Sequence, residues 1–161
     1  MRGAMLFAAG LFAGLAIHVA MAQNTNSGVV MMNHVGISVS NIPEAVTYYT
    51  QKMGYREAFR VNDAKGQPRL VYMQISKNTF LELNQQVGQA PTGFTHYGLV
   101  VTSAANAVRD FKARGVTVTE TNVSAGTKAI LANITDPYMG RIELVQITPE
   151  SLHRKAIDAW K

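Results

Sequence analysis

The sequence predicts an α+β fold built from two copies of one strand–helix–strand–strand–strand (βαβββ) module. The first observation behind this is an internal repeat, in which two pairs of segments match: HVGISVS at 34–40 with HYGLVVT at 96–102, and FLEL at 80–83 with RIEL at 141–144. The second is that each copy holds one helix-like segment among runs of alternating apolar and polar residues. A duplicated unit fixes the architecture, so we expect one domain at 33–148, with modules at 33–87 and 95–148.

Local signals set the elements of the first module. Asn41 is a typical helix N-cap, Pro43 suits the first helical turn, and Gly54 ends the helix after about Met53. Alternation and turn residues then give the remaining segments. We predict strands at 34–40, 55–62, 69–75 and 79–85, followed by a linker at 86–95.

The second module repeats this order. Ser103 caps a helix that runs to about Arg114, and Gly115 stops it. We predict strands at 95–102, 116–122, 128–135 and 141–147. The tail at 149–161 is expected to form a helix that covers the core through one face, with Leu152, Ala156 and Trp160.

The composition excludes several classes of protein. The chain has 161 residues, no cysteine and a formal net charge of +5. Without cysteine it has no disulfide framework, no thiolate nucleophile and no cysteine-based metal site, so any metal must be held by His, Asp and Glu. The charge is mild and no dense run of lysine or arginine is present, so we do not expect nucleic acid as a partner.

The N-terminal segment has the pattern of a secretory signal. Arg2 precedes an apolar run at 4–17, and Ala20, Met21 and Ala22 form a typical cleavage site. We therefore expect a signal peptide at 1–22, export to the periplasm or beyond the cell, and no stable membrane span after cleavage. An uncleaved anchor is the alternative, and residues 23–32 are expected to be a flexible lead-in.

Alternation places four residues with metal-binding side chains on one face of the sheet. In the first and last strands of each module the apolar side chains face the helices, and the residues between them face away. These are His34, Glu82, His96 and Glu143. Gly36 and Gly98 lie on the same face and leave space beside these side chains.

Two neutral imidazoles and two carboxylates suit a divalent ion and balance its charge. They leave about two positions of a six-coordinate ion open, which is typical of catalytic rather than structural sites. The other two histidines, His18 and His153, lie in the signal segment and the tail helix.

At these residues the sequence resembles the vicinal oxygen chelate superfamily, which includes glyoxalase I, methylmalonyl-CoA epimerase, extradiol dioxygenases and fosfomycin-resistance proteins. Four segments that cover 33–148 carry the resemblance: HVGISV at 34–39, FLEL at 80–83, HYGLVV at 96–101 and DPYMGRIEL at 136–144. The resemblance implies paired βαβββ modules that form a curved, cup-shaped mixed sheet around a divalent ion of zinc, nickel, cobalt, manganese or iron. The ligands that it implies are His34, Glu82, His96 and Glu143.

The members of this superfamily resemble the sequence to different degrees. Glyoxalase I is similar in its four ligands, but Ser38 stands where it has an arginine for the glutathione carboxylate. Extradiol dioxygenases use three ligands, and Glu82 argues against that pattern. The bleomycin-binding relatives have no metal site, so the intact ligand set argues against pure sequestration.

The resemblance implies metal-assisted enolisation of a small substrate with adjacent oxygens, through an enediolate, by a lyase, isomerase or epimerase. Either Glu82 or Glu143 is the base, and we favour Glu143. An extradiol-type dioxygenase and a non-catalytic small-molecule-binding protein are the alternatives. Substrate contacts are expected from the interior face and rim, with these candidates: Arg69, Tyr72, Gln74, Asn84, Tyr138 and Met139. The sequence leaves open whether one chain or a homodimer completes the site.

Overall fold

The computed structural model describes residues 27–161, and the predicted signal peptide at 1–22 lies outside this range. The described residues form eight strands and three helices. The strands are β1 (Val29–Val39), β2 (Arg56–Asn62), β3 (Pro68–Ser76), β4 (Thr79–Gln85), β5 (Gly93–Val101), β6 (Asn122–Val123), β7 (Ile130–Asp136) and β8 (Gly140–Gln146). The helices are α1 (Ile42–Gln51), α2 (Ala104–Ala113) and α3 (Leu152–Asp158).

All eight strands form one curved mixed sheet in the order β2-β3-β4-β1-β5-β8-β7-β6. The order is symmetric, because each module pairs its first strand in parallel with its last: β1 with β4, and β5 with β8. The first strands, β1 and β5, pair antiparallel at the centre and join the modules. The predicted α+β class with a cup-shaped mixed sheet is therefore confirmed.

The two module helices begin where the sequence predicts. The side chain of Asn41 accepts a hydrogen bond from the Glu44 amide, and that of Ser103 accepts one from the Asn106 amide. After α1 the chain turns at Gly54, whose φ of 71° lies in the left-handed region that glycine adopts without strain.

The apolar core lies between the convex face of the sheet and these two helices. Ile42 of α1 packs with Val71, Met73 and Leu83. In the second module the buried cluster comprises Val101, Ala104, Ala107, Val108, Ala132, Ile134, Ile142 and Leu144. Burial of these residues fixes which side chains of each strand face the helices, so it also fixes those on the concave face.

Two predicted boundaries are wrong. Strand β1 begins at Val29, so residues 29–32 are not a flexible lead-in but pair with the end of β5. Val30 and Met32 are apolar but exposed, so this part of the strand does not show the alternation of apolar and polar residues that predicts a strand. The segment 116–122 is not a continuous strand, and it has an isolated bridge between Val118 and Ile134 before β6. The ladder breaks because the Asn133 amide donates to the side-chain hydroxyl of Thr119 instead of a backbone carbonyl.

The tail helix also differs from expectation. It begins at Leu152, capped by Ser151, because the Ser151 hydroxyl accepts from the Arg154 amide. Its buried residues are His153, Ala156 and Ile157, rather than Leu152, Ala156 and Trp160. The tail packs on the concave face, so this face is not free of helices.

Helix α3 closes one end of the cup. Ala156 and Ile157 pack against Tyr72 and Phe80, whose side chains point into the concavity. Arg56 of β2 donates to the Ala159 carbonyl at 3.2 Å, which fixes the C-terminal end of the helix.

At its other end the Leu152 amide donates to the Thr127 carbonyl at 2.9 Å, in the loop after β6. The helix therefore links the outer strands of the two modules. No helix within residues 27–161 has the length and apolar character needed to cross a membrane.

Candidate metal centre

The four predicted residues come together on the concave face, at the junction of the two modules. Their positions follow from the register of the four central strands. Gly36 of β1 pairs with Glu82 of β4 on one side and with His96 of β5 on the other. Gly98 of β5 pairs in the same way with His34 and Glu143. One chain supplies all four side chains.

The ligating atoms of this cluster are close enough to share one ion. One nitrogen or oxygen from each of the four residues lies within 4.8 Å of the others. The two histidine Nε2 atoms are 3.1 Å apart. His34 Nε2 lies 3.5 Å from Glu82 Oε2 and 3.6 Å from Glu143 Oε2. Two ligands bonded at about 2.1 Å to one ion are separated by about 3.0 Å at a right angle and about 4.2 Å when opposite, so these separations fit a common ion.

The two glycines make room for the histidine rings. A Cβ atom on Gly36 would lie 2.1 Å from Cε1 of His96, and one on Gly98 would lie 1.9 Å from Cε1 of His34. Real Cβ atoms do not approach other atoms so closely, so each imidazole occupies the space that a side chain on the neighbouring strand would fill. The space that the glycines were predicted to leave is therefore occupied by the two imidazole rings.

His34 is held in the state that a metal ligand needs. Its Nδ1 lies 2.8 Å from Oδ1 of Asn33, which can only accept, so Nδ1 carries the proton and Nε2 keeps a free lone pair. Burial is the largest effect on its charge and lowers the pKa of His34 to about 3, so the ring is neutral at pH 7. A neutral imidazole with its outer nitrogen hydrogen-bonded is the usual form of a ligating histidine.

Glu82 is fixed at both carboxylate oxygens. The Tyr72 hydroxyl donates to Oε2, and the Asn84 amide donates to Oε1 at 2.8 Å. Burial raises the pKa of this group, but hydrogen bonding from His96, the charges of His34 and His96, and the Tyr72 hydroxyl outweigh it and lower the pKa of Glu82 to about 2. Glu82 is therefore an ionised and rigidly oriented carboxylate.

Glu143 is held more loosely. Its Oε1 lies 3.4 Å from Nη1 of Arg141, and its Oε2 faces the cluster. Burial raises the pKa of Glu143 to about 7, and the negative charge of Glu82 is the second cause of this rise. The two carboxylates of the cluster thus have opposite pKa shifts, because Glu82 has several close stabilising partners and Glu143 has one distant donor.

His96 has two partners at its outer nitrogen. Thr95 Oγ1 lies 2.9 Å from Nδ1, and Arg141 Nη2 lies 2.5 Å from it. Arginine can only donate, whereas the threonine hydroxyl can also accept. When Nε2 ligates an ion, Nδ1 carries the proton and can donate to Thr95 but cannot accept from Arg141.

The other candidates from the sequence have varied positions. Tyr72 and Asn84 contact Glu82 as described, but Gln74 is buried and its amide donates to the Lys77 carbonyl at 3.0 Å. Arg69, Tyr138 and Met139 are exposed, and the described hydrogen bonds and ion pairs join none of them to the cluster. Tyr138 and Met139 lie in the β7–β8 turn, where their amides donate to the Asp136 carboxylate.

Three residues beside the cluster were not predicted from the sequence: Asn33, Thr95 and Arg141. Arg141 lies two residues before Glu143, so the alternation of β8 alone places it on the concave face. Asn33 gives no such signal, because a register irregularity between Met32 and His34 in β1 shifts its position.

Comparisons with known proteins agree with this architecture. A family model described as the glyoxalase/bleomycin resistance protein/dioxygenase superfamily matches residues 33–133. The chain belongs to this superfamily. The vicinal oxygen chelate assignment from the four sequence segments is thereby confirmed. A search of the curated proteins found no match.

Solved structures of the superfamily share the fold. Methylmalonyl-CoA epimerase from Mycobacterium tuberculosis superposes with a TM-score of 0.67 at 18% identity, over 78% of this chain and 93% of that one. The Mn(II)-bound glyoxalase from Novosphingobium aromaticivorans gives a TM-score of 0.61 at 12% identity, over 76% and 40% of the two chains. BphC, a halotolerant catechol dioxygenase, gives 0.55 at 19% identity, over 72% and 40%. At these identities the likeness establishes the fold.

Proposed function

We propose that this protein is a divalent-metal-dependent enzyme of the glyoxalase-like type, which moves a proton at a carbon next to a carbonyl group. The observation that carries the proposal is the convergence of two imidazoles and two carboxylates, with ligating atoms within 4.8 Å of one another, in a buried cup. Such a donor set suits zinc, nickel, cobalt, manganese or iron.

The proposed ligands are His34, Glu82, His96 and Glu143. When bound, a divalent ion supplies Lewis-acid stabilisation of the negative charge that develops on two adjacent oxygens of a substrate. The remaining work falls to the protein. Asn33 and Thr95 orient the imidazoles, while Tyr72 and Asn84 keep Glu82 ionised and in place.

Glu143 is the proposed general base. Of the two carboxylates in the cluster, Glu143 is the one that no close donor holds, whereas Glu82 accepts from both Tyr72 and Asn84. Because Glu143 has a single distant donor, it can shift toward a substrate carbon without breaking a tight network. It would take the proton from the carbon next to the carbonyl and return it to that carbon or its neighbour, which gives an epimerase or an isomerase.

Hydrogen exchange tests this proposal directly. The metal-loaded protein is incubated in D2O with a panel of α-hydroxy ketones, α-keto acids and α-hydroxy acids, and loss of the α-proton signal is followed by NMR. We expect exchange with the native protein and none with Glu143→Gln. Glu57→Gln is the matched control, because Glu57 forms an ion pair with Arg60 and lies outside the cluster.

Other outcomes would overturn the proposal. Oxygen consumption with catechols and no α-proton exchange would identify a dioxygenase. Ligand binding that leaves every compound unchanged would identify a binding protein.

We also propose that the protein acts after export, on the basis of the signal pattern at 1–22. Mass spectrometry of the protein from the native cell compartment tests this, because cleavage after Ala22 gives a chain that starts at Gln23. A cytoplasmic chain that retains Met1 or Arg2 would contradict it.

A further inference from the structure

Arg141 is a partly exposed charged group at the end of the cup opposite helix α3. Helix α3 covers the end where β1 begins and β8 finishes, since Met31, Ile147 and Ile157 line one cavity there of about 310 Å³. Arg141 lies near the start of β8, so it stands at the opposite end. About 42% of its side chain is exposed, whereas Glu143 beside it is 9% exposed.

The guanidinium group borders the metal-binding cluster directly. It donates to Nδ1 of His96 at 2.5 Å, to Oδ1 of Asn133 at 3.2 Å and to Oε1 of Glu143 at 3.4 Å. Two of these three partners are proposed ligands of the ion. The guanidinium therefore lies between the cluster and solvent, because 42% of the Arg141 side chain is exposed while His96 and Glu143 are buried.

Two of the three contacts weaken once the cluster holds an ion. His96 then needs its Nδ1 proton for Thr95 and no longer accepts from Arg141. Glu143 then shares its charge with the ion. Asn133 would then be the one partner of the three whose contact is unchanged, and it is uncharged and satisfies one of the five N–H donors of Arg141.

The charge balance also indicates that Arg141 is available to a ligand once an ion is bound. Glu82 and Glu143 together carry two negative charges, which a divalent ion neutralises. Arg141 then supplies one unbalanced positive charge beside the site. A planar guanidinium binds a carboxylate through two parallel hydrogen bonds, and a single guanidinium matches its single charge.

We propose that Arg141 is a specificity-determining residue, which selects substrates that carry a carboxylate beyond the pair of adjacent oxygens. This inference rests on the proposed function and adds a substrate class to it. Neutral carbonyl compounds would reach the same site but would lack this contact.

Two hydroxamates separate the contact with Arg141 from binding to the ion. Acetohydroxamate presents two adjacent oxygens alone, and succinic monohydroxamate presents the same pair with an additional carboxylate. Binding of each to Co²⁺-loaded protein is measured by the change in the visible cobalt spectrum. We expect the native protein to bind the carboxylate probe about ten-fold more tightly or better, in line with a charge-assisted hydrogen bond.

The variants locate the source of this preference. Arg141→Gln should lose the preference while it keeps acetohydroxamate affinity and cobalt stoichiometry, and Arg141→Lys should keep part of the preference. Arg109→Gln is the control, because it removes one positive charge from the exposed face of α2, where Arg109 contacts Asp110. It should keep the full preference.

The outcomes distinguish the inference from the function on which it rests. If both probes change the cobalt spectrum but bind equally, or if Arg141→Gln keeps the preference, the proposed role of Arg141 is wrong. The proposed metal site is not contradicted by either result. If neither probe changes the spectrum, the proposed function is wrong and the inference fails with it.

Discussion

The imidazole of His96 fills the space that a side chain at Gly36 would occupy, with a separation of 2.1 Å between Cε1 and a Cβ built on the glycine. The same relation joins His34 to Gly98 on the other side of the two-fold repeat. The register of β1 and β5 sets Gly36 opposite His96 and Gly98 opposite His34. Each strand therefore supplies one histidine and the glycine that makes room for the other histidine, and both rings lie at the centre of the sheet. The histidine of each H-x-G pattern thus fills the space left by the glycine of the other pattern.

Gly36→Ala should destabilise the metal-free protein through overpacking, by about 1–3 kcal/mol. Because the two closest atoms belong to the imidazole and only Thr95 Oγ1, at 2.9 Å, would remain, the same substitution should cost less in a His96→Ala background. Urea unfolding of the two single variants and the double variant measures this coupling. Equal costs in both backgrounds would show that His96 is not what the glycine accommodates.

Tyr72→Phe should weaken metal binding by about 10- to 100-fold, because it removes the hydroxyl that donates to Glu82 and keeps the aromatic packing. Chelator competition measures the affinity. Tyr49→Phe is the control, because Tyr49 stacks on Tyr55 at the helix side of the sheet. An unchanged affinity in Tyr72→Phe would remove Tyr72 from the support of the site.

Glu143 should make the stability of the metal-free protein fall as the pH rises. Its pKa is raised from 4.5 to about 7, so between these values the native state keeps a proton that the unfolded chain has released. The resulting destabilisation is complete above pH 7 and on the order of 3 kcal/mol. Glu143→Gln should therefore be more stable than the native protein at pH 8, with a difference that shrinks toward pH 4. Denaturation curves over this range measure it, and a difference independent of pH would contradict the raised pKa.

His153→Leu should stabilise the protein by about 1–3 kcal/mol, because both ring nitrogens are buried without a hydrogen-bond partner among the described residues. Burial lowers the pKa of His153 to about 4, so native stability is lost as the pH falls from 6.5 toward 4, and the gain should grow over that window. His153→Gln keeps a buried polar group that does not titrate and should show no such growth. A loss of stability in His153→Leu, measured by thermal unfolding, would mean that the ring has an unrecognised partner.

Much of the fold was predictable because the repeat and the strand alternation are local signals. The caps Asn41 and Ser103 fixed the starts of two helices, and alternation alone assigned the four cluster residues to one face. The predictions that were wrong depend on contacts between segments that are distant in the sequence. The first residues of β1 are held by pairing with β5 rather than by a buried face, and the segment after α2 lacks a continuous ladder.

The residues that support the cluster were less predictable than the four cluster residues. That Tyr72 and Asn84 bond Glu82 depends on neighbouring strands and on side-chain reach, which the spacing of residues does not specify. The tail helix was expected over the core, but its position in the cup depends on Arg56 and the loop at Thr127. Long-range contacts of this kind leave little trace in a single sequence.

The number of divalent ions bound per chain tests the central claim most directly. Co²⁺ titration of the metal-free protein, followed by elemental analysis after gel filtration, should give one ion per chain in the native protein. His34→Ala and Glu143→Ala should lose it while they keep the native circular dichroism spectrum. A native protein that binds no ion, or variants that bind as well as the native protein, would contradict the assignment of this cluster as a metal centre.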